Sequence, residues 1–478
     1  MIYRLERNLE LVERDGGCFL LSKSPLSLLR LNDSLAALVR RGLEGPLTPA
    51  TEGETAVLEQ LTARGFAQRL SSLPVHAAAL PGVSIVIPVK DRAEELERCL
   101  ASLAALDYPH ENIEVIVVDD GSRDESTQVA RRFGALVVPS GGTGRGPAAA
   151  RNVGARAAGK EFLAFIDSDC TASPEWLREL IPAFNDAGMA AVGGDVAGMC
   201  TASRVDRYEA VMSSLTLGSR ERFGSSGDDT FYLPSCNLLL RRILFLSVGG
   251  FKDSMHVGED VDLTWRLRDA GWTIAYLPKG TVFHEHRSTL RSFMSRRFDY
   301  GTSEGQLQIL HPNRRKRMVI PPLLAAVLAL CIVAPCARWW PLLAAAGLLT
   351  ADTLVVRFRF ARRGLPLGPA ALLAGRLRAL GSLLYYLSYH LIRYYSIPLI
   401  AGALLFPPFL PAFIGIFGCA AGVDHAIKKP RLSFIHFSGI YLLEQLAYGA
   451  GVFRGCLSRK CFASYRVVIM RQMEATTG

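Results

Sequence analysis

The chain has 478 residues, with 54 Lys+Arg against 44 Asp+Glu and a formal net charge of +10. Half of it is hydrophobic, 21% is charged and the mean hydropathy is +0.21, which excludes a disordered chain and, by length, a single domain. Residues 311–478 carry 20 Lys/Arg against 4 Asp/Glu, so the basic excess falls in the most apolar third. Basic and apolar together predict a lipid bilayer as partner and no nucleic acid. The ten cysteines are scattered from Cys18 to Cys461 with no CxxC pair, which argues against a disulfide framework or zinc site. Met1–Gly17 has no apolar h-region, so no secretory signal is expected and the polar part should face the cytoplasm.

Residues 1–70 read as a small module. Leu9–Glu13 and Cys18–Ser22 alternate like strands around Asp15-Gly16-Gly17, a hairpin turn. A helix capped by Asp33-Ser34 runs to about Arg41, a second runs from about Glu54 to Gly65, and Phe66–Leu70 returns as a strand. The arrangement is winged-helix-like. A unit this small should dock on its neighbour. Residues 71–82 are a linker by their Pro and Ala content.

Residues 83–310 alternate strand and helix. The buried strands are Val83–Val89, Ile113–Asp120, Ala135–Pro139 and Phe162–Asp169. The helices between them are Glu94–Leu106, Asp124–Phe133 and Pro147–Ala158. This order predicts an α/β fold with a doubly wound, mostly parallel sheet. Ligands bind beyond the carboxyl ends of such strands. A further strand is expected over Leu277–Phe283.

Residues 311–478 should form a helical, membrane-associated region. Val319–Ala337 and Trp339–Val356 are apolar runs of about 20 residues, each long enough to span a bilayer. Basic clusters at Arg314–Arg317 and Arg357–Arg363 suggest a hairpin with both ends cytoplasmic. Ile397–Val423 is a third run. Core or in-plane helices are the plainer reading of such runs.

The chemistry lies in acids at strand ends. Asp119-Asp120-Gly121-Ser122 closes one buried strand and Asp167-Ser168-Asp169 another, and Gly258-Glu259-Asp260-Val261-Asp262 opens a helix. Crowded, half-buried acids cost several kcal/mol unless a cation offsets them. Hard oxygen ligands suit Mg²⁺ or Mn²⁺. Such an ion compensates a departing diphosphate. A base must lie opposite that leaving group, on a segment remote from the metal acids. Asp260 qualifies, with Asp262 as rival; helix capping is the plainer role for Glu259 and Asp262. Asp195, after Gly193-Gly194, is either a ligand contact or a turn residue. Gly141–Gly146 looks like a phosphate loop but lacks the Walker lysine and serine, and reads as a mobile loop.

Ser84–Arg92 (SIVIPVKDR), Val117–Ser122, Ala149–Ala155 (AARNVGA), Phe165–Asp169, Gly249–Phe251 and Gly258–Leu267 resemble the motif series of family 2 glycosyltransferases. The resemblance covers about residues 83–300. It implies a GT-A fold and metal-dependent, inverting transfer from a UDP-sugar donor. By position it implies that Pro88, Val89 and Asp91 border the nucleotide, and that Asp119 or Asp120 contacts its uracil or ribose side. Arg151 then lies over base or diphosphate, with Ser168, Asp195 and Glu259 in the donor set. Asp167 and Asp169 belong to the metal motif, Asp260 matches the general base, and His284 is a further metal ligand, His286 being its alternative. Ser295–Tyr300 departs from the QxxRW box of processive synthases, which puts long-chain synthesis in doubt. Arg296 or Arg297 can neutralise diphosphate or form an interfacial basic pair.

The N-terminal block ahead of such a domain, with an apolar tail behind, resembles the glycosyltransferases of the mycofactocin system. That implies β-linked glucose added to a peptide-derived redox cofactor precursor, with residues 1–70 as a peptide-recognition module. The expected location is the cytoplasmic membrane, with the active site facing the cytoplasm. Transfer to a polyprenyl phosphate or cell-envelope glycan is the alternative. A non-catalytic nucleotide-sugar-binding scaffold is a further one.

Overall fold

The computed structural model describes residues 2–6, 9–14, 17–23, 26–70, 80–142, 144–225, 229–334, 339–362 and 368–470. The turn residues Asp15 and Gly16, residues 71–79 of the expected linker, Thr143, Arg338 and Arg363 lie outside them.

In the N-terminal part, Leu9–Arg14, Gly17–Lys23 and Leu26–Leu31 form an antiparallel three-stranded sheet. Pairing of Arg14 with Gly17 leaves two residues for the expected hairpin turn. Ile2–Leu5 pairs with Ala67–Leu70. The helices are Asp33–Glu44 and Glu52–Ala63. The first is capped by Asn32, one residue before the expected cap, whose side chain accepts from the Leu35 N–H at 2.9 Å. Tyr3, Leu20, Val39 and Leu58 are fully buried between them. Arg69 ties this part to the next. It is paired with Asp186, and its guanidinium lies 5.2 Å from the Phe223 ring.

The central domain is built on an eight-stranded sheet. In spatial order its strands are Arg222–Gly224, Thr273–Tyr276, Met189–Gly193, Asn237–Arg241, Phe162–Ile166, Val83–Val89, Ile113–Asp119 and Leu136–Pro139. The last four run parallel, as their continuous apolar sequences require. Asn237–Arg241 runs antiparallel to both of its neighbours. The sheet is therefore mixed, not simply doubly wound. A register argument from βα repeats cannot foresee a strand inserted from 70 residues downstream. The helix Pro147–Ala157 packs closely on the sheet at Gly154, where a Cβ would lie 2.4 Å from Val86 Cγ1.

No strand spans the expected Leu277–Phe283: one strand ends before it at Tyr276 and the next begins only at Val282. Thr273–Tyr276 stays in the large sheet, while Val282–His284 joins a small sheet with Cys170–Ala172 and Val196–Gly198. Pro278 and Gly280 separate them, and neither suits a sheet interior. The small sheet pairs Cys170 with His284.

The C-terminal part is helical. Leu290–Leu310 leaves the central domain and crosses Phe434–Arg459 through glycines. A Cβ on Gly301 would lie 2.3 Å from the Tyr448 carbonyl oxygen, and one on Gly451 would lie 2.0 Å from that of Phe298. Gly305 and Gly455 repeat the arrangement one turn on. This GxxxG pairing fuses the helical region to the central domain. The helix Pro369–Leu405 kinks at Tyr395, ahead of Pro398, whose ring excludes a normal turn there.

The apolar runs are arranged differently from expectation. Pro322–Val333 is twelve residues, about 18 Å, shorter than the roughly 30 Å of a hydrocarbon core. Ile397–Val423 is no single helix, because Pro407-Pro408 divides it. Trp340–Arg362 and Pro407–Lys428 are long and apolar enough to cross a membrane by length and composition, and most of their apolar stretch is not buried in the protein. Asp352, the one acid of the second run, pairs with Arg376 at 2.6 Å.

Candidate functional site

The carboxyl ends of the central strands open on a cavity of about 1430 Å³. Pro88, Val89, Asp120, Arg151, Asp167, Ser168, Asp169, Glu259, Asp260 and His284 all line it. Asp91, Asp119 and Asp195 do not line it. Asp91 and Asp119 clamp loops instead. Asp91 accepts from the Arg123 N–H at 2.7 Å, and Asp119 accepts from the Ser122 N–H at 2.9 Å. Asp195 accepts from Tyr276 Oη at 3.3 Å.

Asp120 lines the cavity, yet its carboxylate is committed. It accepts from Ser140 Oγ at 2.7 Å and from the Arg145 and Gly146 N–H groups, each at 2.9 Å. The glycine loop thus folds around this acid. Gly146 has φ 90° and abuts His256, where a Cβ would lie 2.9 Å from Nδ1. Both demands exclude a side chain.

Arg151 is the centre of the acid cluster and is 3% exposed. Its Nη1 donates to Glu259 Oε1 at 3.0 Å, and its Nη2 donates to Asp167. Burial opposes the Arg151 charge, but the carboxylates of Asp167 and Glu259 more than offset it and raise its pKa. Burial likewise opposes the Asp167 charge, and Arg151 reverses the effect, holding Asp167 below the ordinary carboxylate range. Glu259 goes the other way. Burial first, then the charge of Asp260, push it up despite Arg151.

Asp260 stands half-buried at the start of the helix Glu259–Asp269. It accepts from the Val261 N–H at 2.8 Å and the Ser235 N–H at 3.3 Å. Burial raises its pKa above the usual value, while those N–H groups and Arg151 restrain the rise. Its rival Asp262 points elsewhere. It is fully buried, 3.0 Å from His311 Nε2, 2.8 Å from Arg266 Nε and 3.4 Å from Lys252 Nζ. Neither Glu259 nor Asp262 caps the helix; Gly258 does, in the left-handed region.

Asp169 and His284 come together because Cys170, next in sequence to Asp169, pairs with His284. Asp169 Oδ1 lies 3.7 Å from His284 Nε2, and Arg92 Nη1 donates to Asp169 Oδ2 at 2.6 Å. His284 Nδ1 is buried without a hydrogen-bond partner. Among the described residues, Asp169, Cys170 and His284 form a group whose ligand atoms lie within 4.8 Å of one another. A carboxylate oxygen suits Mn²⁺ or Mg²⁺, and the imidazole nitrogen beside it favours Mn²⁺ of the two. Cys170 suits it poorly, because burial and the neighbouring Cys236 hold its thiol protonated. Asp167 is outside this group and turned to Arg151. His286 is buried, and burial with the nearby His284 and Arg297 lowers its pKa to about 4.

The two arginines of Ser295–Tyr300 diverge. Arg297 is buried between Glu209 at 2.9 Å and Glu444 at 3.2 Å. Arg296 is exposed on the cavity wall, 4.9 Å from the Tyr300 ring. Arg92 and Cys170 had no role assigned by sequence. Arg92 sits inside the SIVIPVKDR motif, a signal that could have been used. Cys170 becomes visible only through strand pairing.

Residues 84–247 match the family model described as glycosyl transferase family 2. The chain carries a family 2 glycosyltransferase domain. It is 36% identical over 312 residues to the pre-mycofactocin glycosyltransferase of Mycobacterium tuberculosis (strain H37Rv), covering 64% of this chain and 63% of that protein. The match thus spans under two thirds of that relative's length. It is 29% identical to the glycosyltransferase AglE of Haloferax volcanii, over 48% of this chain and 75% of that one. A mannosyltransferase of Pyrobaculum calidifontis, solved with GDP-Man and Mn²⁺, overlaps 76% of this chain and 90% of its own. That overlap has 20% identity and a TM-score of 0.41. The mixed α/β sheet with a helical C-terminal region is GT-A-like.

Proposed function

We propose that the protein is an inverting, metal-dependent glycosyltransferase. It moves a sugar, β-linked glucose, from a UDP-sugar to a peptide-derived redox cofactor precursor in mycofactocin biosynthesis. The observation that carries this reading is that Asp260 and the Asp169–His284 pair line one cavity. The likeness to pre-mycofactocin glycosyltransferase supports the acceptor class.

Pro88, Val89 and Ser168 border the donor in this reading, with Asp120 holding the loop beside it. Asp91, Asp119 and Asp195 act behind the cavity wall. Asp169 and His284 hold the ion, with Asp167 beside them. When bound, a divalent ion neutralises charge on the departing diphosphate. Arg92 fixes the Asp169 carboxylate, and Arg151 keeps Asp167 ionised. Asp260 accepts the proton of the acceptor hydroxyl. The acceptor oxygen bonds to the anomeric carbon as the bond from that carbon to the diphosphate oxygen breaks, and the electron pair leaves with UDP. In-line attack inverts the centre. Glu259 holds Arg151 in place.

Trp340–Arg362 and Pro407–Lys428 serve as membrane anchors in this reading, with the catalytic domain on the cytoplasmic side. The protein is expected to fractionate with membranes and to resist high salt; release by salt alone means charge-held surface binding. Residues 1–70 recognise the acceptor. Their deletion should abolish transfer and spare slow UDP-sugar hydrolysis. The deciding experiment is mass spectrometry of small-molecule extracts with and without the gene. A hexose-spaced ladder that vanishes with the gene is expected; an unchanged extract overturns the reading.

A further inference from the structure

The helices Pro369–Leu405 and Leu410–Lys428 form a hairpin joined by the tight turn Pro407–Phe409. Its two ends have opposite chemistry. Every residue from 404 to 412 is exposed, with Leu404, Leu405 and Phe406 at 75%, 74% and 69%. Residues 397–423 hold no charged side chain, no hydroxyl and no amide. At the other end of the second helix, Lys428, Lys429 and Arg431 are exposed beside exposed Ile427, Phe434 and Ile435. An apolar apex and a basic, apolar base match the two zones of an anionic bilayer: hydrocarbon inside, phosphates outside.

The apex backbone also suits hydrocarbon, where an unpaired N–H costs several kcal/mol. Pro407, Pro408 and Pro411 have no N–H to satisfy. The Phe406 N–H donates to the Gly402 carbonyl at 2.9 Å, and the Phe409 N–H donates to that of Phe406 at 2.8 Å. The Leu410 N–H donates to the Pro407 carbonyl. The chain therefore reverses direction with its donors from 406 to 411 either absent or paired, except that of the helix-starting residues already named.

The depth is set by what the rest of the hairpin touches. Ala420 and Ala421 are fully buried in a core that includes Val205 and Tyr208 of the central domain. The ring centroids of Phe417 and Tyr441 are 6.1 Å apart, and those of Phe437 and Tyr208 are 5.2 Å apart. That half of the helix is held at the level of the water-facing domain. At 1.5 Å per residue, Leu410 stands about 15 Å beyond Ala420, half of a hydrocarbon core of roughly 30 Å. A hairpin that crossed would also present its turn to the far headgroups, where Trp, Tyr, Lys or Arg is expected. The turn offers only Phe and Pro.

We propose that residues 404–412 enter one leaflet of an anionic bilayer and end inside its hydrocarbon, while Lys428, Lys429 and Arg431 meet the phosphates of the same leaflet. The inference rests on the reading of the helical region as a membrane anchor. The helix Leu410–Lys428 then anchors without crossing, and both ends of the hairpin stay on the side of the catalytic domain.

The test uses the full chain in nanodiscs of phosphatidylcholine and phosphatidylglycerol, whose two faces are both open to solutes. p-Acetylphenylalanine placed at Leu405, Phe409 or Ile435 carries a ketoxime-linked nitroxide, so no native cysteine is changed. Power-saturation electron paramagnetic resonance reads collisions with oxygen, which concentrates in hydrocarbon, and with a nickel chelate, which stays in water. Labels at Leu405 and Phe409 should lose the nickel collisions and keep those with oxygen. The label at Ile435 should keep the nickel collisions. Circular dichroism matching the unlabelled chain reports folding. Nickel collisions at both Leu405 and Phe409 overturn the proposal, because a turn lying on the surface or emerging on the far face meets water. Loss of both oxygen and nickel collisions overturns it in favour of a protein partner over the apex. Failure of the anchor reading looks different: the chain then elutes apart from the nanodiscs, and the leaflet proposal falls with it.

Discussion

Arg151 Nη1 donates to Glu259 Oε1 at 3.0 Å, across 108 residues of sequence. With its other amino group on Asp167, this arginine joins the strand-end acids to the acids that open the helix Glu259–Asp269. Removing it leaves two acids without their cation. Arg151→Ala should lower the unfolding free energy by about 3–5 kcal/mol, the usual cost of breaking a buried pair. Urea denaturation measures this. Arg151→Lys keeps the charge but not the fork, and should fall between the two.

The roles of Asp260 and Asp262 separate by measurement. Asp260→Asn should leave UDP affinity nearly intact and cut kcat by about 10²–10⁴. Asp262→Asn should act on folding, because His311, Arg266 and Lys252 all converge on that carboxylate. A collapse of UDP affinity in Asp260→Asn would make it a donor-binding residue.

Metal use should follow Asp169 and His284 more closely than Asp167. Mn²⁺ binding, read by electron paramagnetic resonance, should weaken at least about tenfold in Asp169→Ala and in His284→Ala, since one ligand of few is lost. Asp167→Asn should weaken it less, because that carboxylate faces Arg151. Turnover undiminished in EDTA contradicts metal dependence altogether.

The pH profile should report the buried acids. A base works when deprotonated, so kcat/KM should fall as pH falls through the pKa of Asp260. Burial raises that pKa above its ordinary value of about 3.9. The acid limb should therefore lie at higher pH than for an exposed aspartate. Arg151 lowers the same pKa, so Arg151→Gln should move the limb further up. A limb that stays in place in Arg151→Gln separates Asp260 from the profile.

The glycine crossing should be intolerant of added carbon. Gly451→Ala places a Cβ 2.0 Å from the Phe298 carbonyl oxygen and should cost about 1–3 kcal/mol through forced separation of the helices. Gly439→Ala is the control, since a Cβ there meets nothing within 4 Å. Thermal unfolding in detergent compares the two.

Several features were legible in the amino-acid order alone. Continuous apolar runs such as Val83–Val89 and Phe162–Ile166 specify buried parallel strands, because neither face of such a strand meets water. Acids that end those runs are placed by the same geometry at the mouth of the cavity. Asp167 and Asp169 follow such a run and line the cavity, whereas Glu259 and Asp260 line it from the start of a helix. The hairpin and helices of residues 1–70 also follow from local alternation and capping. Tertiary structure decided what local pattern cannot encode. Asp120 and Asp119 are equal neighbours in sequence, yet only Asp120 faces the cavity, and its lone pairs are taken by the glycine loop. Asp260 and Asp262 are two residues apart on one helix, and rotation by two positions aims them at different surroundings. His284 reaches Asp169 because a strand broken at Pro278 and Gly280 re-pairs beside Cys170. Glycines let Leu290–Leu310 and Phe434–Arg459 touch backbone to backbone, although they are far apart in sequence. Strand pairing, helix rotation and close crossing are long-range packing choices. They depend on which surfaces meet, and a one-dimensional pattern carries that information only after the chain has folded.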